Sequence, residues 1–169
     1  DEELAAKLKL EEWIYEPGLP DNVLRPDESA FAHVDAAAQA FADDRKLDEA
    51  KYAQWTSAER QRFLASLPRQ MLEADLAALD EALGLSETGN NEELFLWLNL
   101  AMENKYERAV PTVDQFLSNV GRRKFVAPLF ETLMEQGEWG QIIAKRIYAK
   151  TRPSYHSVTT GTVDELVLG

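Results

Sequence analysis

Gly121-Arg122-Arg123-Lys124-Phe125 is the segment whose side chains could do the most specific chemistry, the gripping of an anion. It is the only run of three basic residues in a chain of thirty acidic and eighteen basic side chains. The apolar spacing that follows starts a helix here. Positive charge at an exposed helix N-terminus opposes the macrodipole by about 0.3–1 kcal/mol per charge. An anion would resolve that conflict, because arginine, lysine and the first helical N–H groups all favour it. Arg122 and Lys124 stand two residues apart. On a helix they diverge by about 200°, whereas in an extended stretch they share a side. Both can therefore grip one carboxylate only if the segment is a turn leading into the helix, and Gly121 permits that backbone. A solvated basic corner, or an ion pair to one of the acids, would use the same residues.

Other chemistry has little to stand on. The sequence has no His-Glu-x-x-His, Gly-x-Gly-x-x-Gly, Walker loop or Gly-x-Ser-x-Gly. It has no cysteine, which removes disulfides, thiolate nucleophiles and zinc–thiolate sites. The two histidines, His33 and His156, have no histidine or carboxylate at the i+4 spacing of a helical metal site. His33 reads as a surface or satisfied histidine, and His156 as an anchor for the tail, so no metal is expected on this stretch. A net charge of −12 repels phosphate backbones and anionic membranes, so neither nucleic acid nor membrane is an expected partner.

The elements that must position the basic run are helical. Leu4, Leu8 and Leu10 suggest a short helix ending near Trp13. Glu16-Pro17-Gly18-Leu19-Pro20 stops it, and Tyr15 to Pro26 reads as an extended strap. Asp27 to about Asp43 is an alanine-rich helix, while Arg45 to Trp55 stays open. Thr56 and Glu59 form a candidate capping box for a helix that stops at Pro68. Leu72, Leu76, Leu79 and Leu83 line one helix face, closed by Gly84. Asn90-Asn91 offers an N-cap for a buried, central helix carrying Trp97 and Leu98. A stripe from Tyr106 to Val120 follows, with Pro111 marking either a kink or the first turn. Two more helices carry Phe125 to Met134 and Ile142 to Tyr148, and the Thr/Val-rich tail after Pro153 reads as extended.

The residues themselves resemble a known family. Gly121 through Phe130 is similar to the Gly-Arg-x-Lys-Phe-x-x-Pro-Leu-Phe segment of leukotriene A(4) hydrolase and its aminopeptidase relatives. Trp13 through Pro20 resembles the Tyr-x-Pro-Gly-Leu-Pro strap that leaves their catalytic region. Trp55 to Leu64, Asn90 to Leu98, Tyr106 to Pro111 and Tyr155-His156 agree more weakly, so the likeness runs along essentially the whole chain. Arg123 falls at a variable position, and Ala127 stands where some relatives carry a basic residue.

The resemblance implies an all-α fold, an α-α superhelix of armadillo/HEAT-like stacked antiparallel helix pairs. It implies residues 1–26 as a connecting helix and strap, 27–153 as the helical domain, and 154–169 as an extended tail packed on it. The parent would be a zinc metalloaminopeptidase, a peptide hydrolase whose zinc ligands and catalytic residues lie in another domain of the same chain. This stretch would form one wall of the substrate cleft, with Arg122 and Lys124 binding the substrate's free carboxylate and no catalysis of its own. An upstream region is expected before Asp1, and the cytoplasm is the expected compartment. The contrasting expectation is a stand-alone helical solenoid for protein interaction, which the helix pairs fit equally well.

Overall fold

The computed structural model describes residue 4, residues 7–23 and residues 29–169, all helical or irregular, without a strand. The chain divides into two compact units, residues 1–32 and 33–169. The upstream expectation at Asp1-Glu2-Glu3, the strap end at Leu24 to Pro26 and the helix start at Asp27 lie outside the described residues.

In the first unit, α1 spans Leu10–Tyr15, two residues past the expected end. Residues 16–23 are not the extended strap that the prolines suggest. The prolines do end the helix, but side chains beyond them fold the chain back. The Trp13 indole donates to Asn22 Oδ1 at 3.1 Å, the Asn22 amide donates to the Leu8 carbonyl at 3.2 Å, and Lys9 pairs with Asp21 at 2.6 Å. Gly18 takes the bend at φ 101°, a backbone open to glycine at little cost.

Along the second unit, whose first helix begins at the last residue of the first, helices follow one another on short links: α2 (Ala32–Asp44), α3 (Glu49–Gln54), α4 (Ser57–Ser66), α5 (Glu73–Leu83), α6 (Asn91–Glu103), α7 (Val110–Asn119), α8 (Arg123–Glu135), α9 (Gly137–Thr151) and α10 (Ser157–Val167). This is the expected all-α class of stacked helix pairs. Local chemistry sets several starts. Thr56 and Glu59 close a full capping box on α4. Asn90 Oδ1 accepts from the N–H groups of Glu92 and Glu93. Asp48 caps α3, the segment that the sequence left open. Pro111 sits in the first turn of α7, where its missing N–H costs nothing.

The core forms where α8 packs against α6, α9 and α10. Phe125, Val126, Leu129, Phe130 and Leu133 are its buried face. Trp97 on α6 is fully buried, as its all-round apolar helix requires, and its indole donates to Ser86 Oγ at 3.0 Å.

The expected extended tail, 154–169, is mostly helix: Ser157–Val167 forms α10. Threonine and valine favour strands on intrinsic grounds, but tertiary context overrides a weak propensity. Thr159, Val163 and Val167 recur every four residues and are all buried. Asp164, beside Val163, fastens the helix further. Arg152 grips it with two 2.8 Å bonds, and the Tyr148 hydroxyl donates to it at 2.6 Å. Arg152, and then Tyr148, hold the Asp164 carboxyl down at about 2. A carboxyl depressed on folding adds stability that is present above its ordinary 3.8 and is lost as pH falls toward about 2. Thermal unfolding midpoints should therefore fall across that window in the wild type, and Asp164→Asn should flatten this part of the profile. An unchanged profile would remove the pair from the acid sensitivity.

Among the described residues, no helix is long and apolar enough to cross a membrane.

Candidate functional site

The basic run lies at the junction of α7 and α8. Helix α7 ends at Asn119, and the Val120 N–H closes it on the Phe116 carbonyl at 2.8 Å. Arg122 is extended, with φ −74° and ψ 118°, and directly precedes α8. Its carbonyl takes the first helical bonds, from the Phe125 and Val126 N–H groups. Arg123 and Lys124 are already helical. The junction is an irregular link into a helix rather than one extended stretch: Arg122 stands on the extended side and Lys124 already in the first helical turn.

The three cations differ in their surroundings. Arg122 and Arg123 are exposed and make no ion pair or hydrogen bond through their side chains among the described residues. Lys124 is committed: its ammonium pairs with Glu92 in the first turn of α6. It also lies 4.6 Å from the centre of the Phe125 ring, a cation–π distance. Phe125 is buried between Phe95 and Phe116, with ring centres 5.3 and 5.9 Å away. The start of α8 has no side-chain cap and no acid in its first turn, so its free N–H groups and Arg122 give one electropositive edge.

The tail braces this junction. The buried Tyr155 hydroxyl donates to the Leu117 carbonyl at 2.6 Å, satisfying a last-turn carbonyl that α7 itself cannot. The Thr159 hydroxyl donates to the Gly121 carbonyl at 3.2 Å. Burial raises the Tyr155 phenol above its ordinary range, so it stays a donor at neutral pH.

The histidines lie elsewhere. His33 Nε2 is 2.8 Å from Glu59 Oε1, and the ring meets Trp55 edge-on at 6.1 Å. His156 caps α10, its Nδ1 accepting from the Val158 N–H at 3.3 Å. Among the described residues no three His, Cys, Asp or Glu side chains gather as a metal site. A cavity of about 850 Å³ between α2, α3 and α4 is lined by His33, Ala36, Ala40, Tyr52, Trp55 and Phe63, without any residue of the basic run.

The sequence profile of the family described as "Leukotriene A4 hydrolase, C-terminal" matches residues 55–167, more than half of the chain. The chain belongs to the leukotriene A4 hydrolase C-terminal family. Human aminopeptidase B is 24% identical over 94% of this chain and 26% of its own length. Leucine aminopeptidase 2 of Neurospora crassa is 35% identical over 52% of this chain and 13% of its own. The chain spans about a quarter of the length of the first of these relatives. In fold it is similar to the native yeast LTA4 hydrolase structure, at a TM-score of 0.70 and 19% identity over 98% of this chain and 30% of that one. Within this leukotriene A4 hydrolase C-terminal domain, the match contains the basic run, Glu92, Tyr155 and Thr159.

Sequence reasoning singled out Arg122 and Lys124 but missed Glu92, Tyr155 and Thr159. Glu92 was visible only within the resemblance of Asn90 to Leu98, and Tyr155 only through that of the Tyr155-His156 tail. Tyr155→Phe leaves the buried Leu117 carbonyl without its donor, so a loss of about 1–2 kcal/mol is expected in denaturant unfolding of this domain. An unchanged midpoint would mean that water or another donor replaces the phenol.

Proposed function

We propose that this domain is one wall of the substrate cleft of a zinc metalloaminopeptidase and that Arg122 and Lys124 bind the substrate's free carboxylate. The observation that carries this reading is the exposed Arg122 guanidinium, without a protein partner among the described residues, at the uncapped start of α8. Family membership supports it, as does the Gly-Arg-x-Lys-Phe pattern at Gly121 to Phe125. Guanidinium pairs with carboxylate through two parallel N–H bonds, whereas the Lys124 ammonium adds a less directional charge. Holding the far end of a short peptide fixes where its scissile bond lies, which is catalysis by positioning.

The zinc of such an enzyme finds no fit here. His33 is engaged by Glu59 and His156 by its own helix, and the described residues offer no third ligand near either. The metal and the bond-breaking groups belong to the catalytic domain of the parent chain in this reading. Docking on that domain would cover apolar side chains of the first unit: Trp13, Ile14, Tyr15 and Leu19 are exposed. No specific observation favours the stand-alone interaction module. Kinetics of the full-length chain test the proposal, with peptides ending in a free carboxylate set against the same peptides as C-terminal amides. The free acids should be the better substrates, and equal efficiency would overturn the carboxylate reading.

A further inference from the structure

The cation that the motif offers to a ligand is already held by an acid of the protein. Lys124 donates to Glu92, and its ammonium rests on the Phe125 face at 4.6 Å. Phe125 is buried, so the lysine stem starts from a fixed base. Glu92 is equally well placed. It lies in the first turn of α6, where the helix end favours negative charge, and its N–H is tied to Asn90 Oδ1 at 2.9 Å. Both side chains remain nearly half exposed, 44% for Lys124 and 42% for Glu92, so a ligand can reach the pair.

We infer that Glu92 is a specificity-determining residue, a built-in carboxylate that competes with the substrate's carboxylate for Lys124 and so limits the preference for acid over amide ends. The inference rests on the carboxylate-binding reading of Arg122 and Lys124. An ammonium has three N–H donors, so Lys124 can touch Glu92 and a ligand together. Two carboxylates around one ammonium nevertheless repel each other. A neutral amide end meets no such repulsion, and its N–H can donate to Glu92. Arg122 then supplies most of the acid preference, because no protein acid neutralises it among the described residues.

Glu92→Gln is the informative change, because it removes the charge and keeps an acceptor for Lys124. In the full-length enzyme, KM and kcat are measured for a tripeptide as free acid and as C-terminal amide. The comparison covers the wild type, Glu92→Gln, Arg122→Ala, Lys124→Met, and Glu92→Gln in the Lys124→Met background. Glu92→Gln should lower KM for the acid by about two- to fivefold, the range an exposed ion pair commands. It should leave the amide's KM unchanged or higher. The gain should vanish when Lys124 is methionine. An unchanged or smaller acid-to-amide ratio in Glu92→Gln, with the ratio still collapsing in Arg122→Ala, overturns the inference and leaves the carboxylate reading standing. A gain that persists in the Lys124→Met background also overturns it. A ratio near one in the wild type that Arg122→Ala does not alter overturns the carboxylate reading, and the inference with it. Unfolding midpoints confirm that each variant is folded.

Discussion

Arg122→Ala in the full-length chain should lower kcat/KM for free-acid peptides by about a hundredfold to a thousandfold on the proposed carboxylate role, the cost of removing one partner of a charge pair that substrate binding would desolvate. The effect should be far smaller for the matching peptide amides, because their ends carry no charge for Arg122 to meet. Stability should barely move, since Arg122 is exposed and makes no ion pair among the described residues. Arg122→Lys should recover only part of the loss: it restores the charge but not the two-pronged fork. A variant with near-wild-type efficiency on free acids would sink the assignment of Arg122.

Gly140→Val should destabilise the domain by about 3 kcal/mol, as overpacking at a close contact does. Gly140 is buried in α9, one turn past the link that follows α8. A Cβ there would stand 1.9 Å from the Leu133 carbonyl oxygen and 2.9 Å from the Gln136 Cβ. The first of those is backbone, which cannot swing aside. Helix propensity makes the opposite forecast, since replacing an interior glycine by alanine gains up to about 1 kcal/mol. Gly140→Ala therefore separates the two by sign in a denaturant titration. Stabilisation by alanine would show that the α8–α9 approach is looser than these distances. The contact also bears on the site, because α8 carries Lys124 and its start follows Arg122.

Several elements were legible because their causes are local. The Thr56–Glu59 box, the Asn90 cap and the αL glycine at Gly84 depend on residues within one turn of each other. Pro111 was ambiguous, because a proline in a helical stripe marks a kink or a first turn equally well until the preceding residue is placed. The tail misled for a physical reason. Thr159, Val163 and Val167 prefer strands in isolation but pay for a helix by burial. The strap misled in a similar way, since Asn22 and Asp21 fold it back on α1 through contacts that no local pattern announces.

By itself the sequence determined the helical class, the helix starts at Thr56, Asn90 and Arg122, the acidic character and the single basic run at Arg122 to Lys124, because each follows from composition or from residues a few positions apart. Only the tertiary structure decided what that run faces. It left Arg122 without an acid among the described residues, paired Lys124 with Glu92 from thirty-two positions away, and braced the junction with Tyr155 and Thr159 from thirty-eight. Which charge meets which depends on how α6, α8 and α10 stack. That stacking is set by buried faces summed over many side chains, not by the spacing within any one segment.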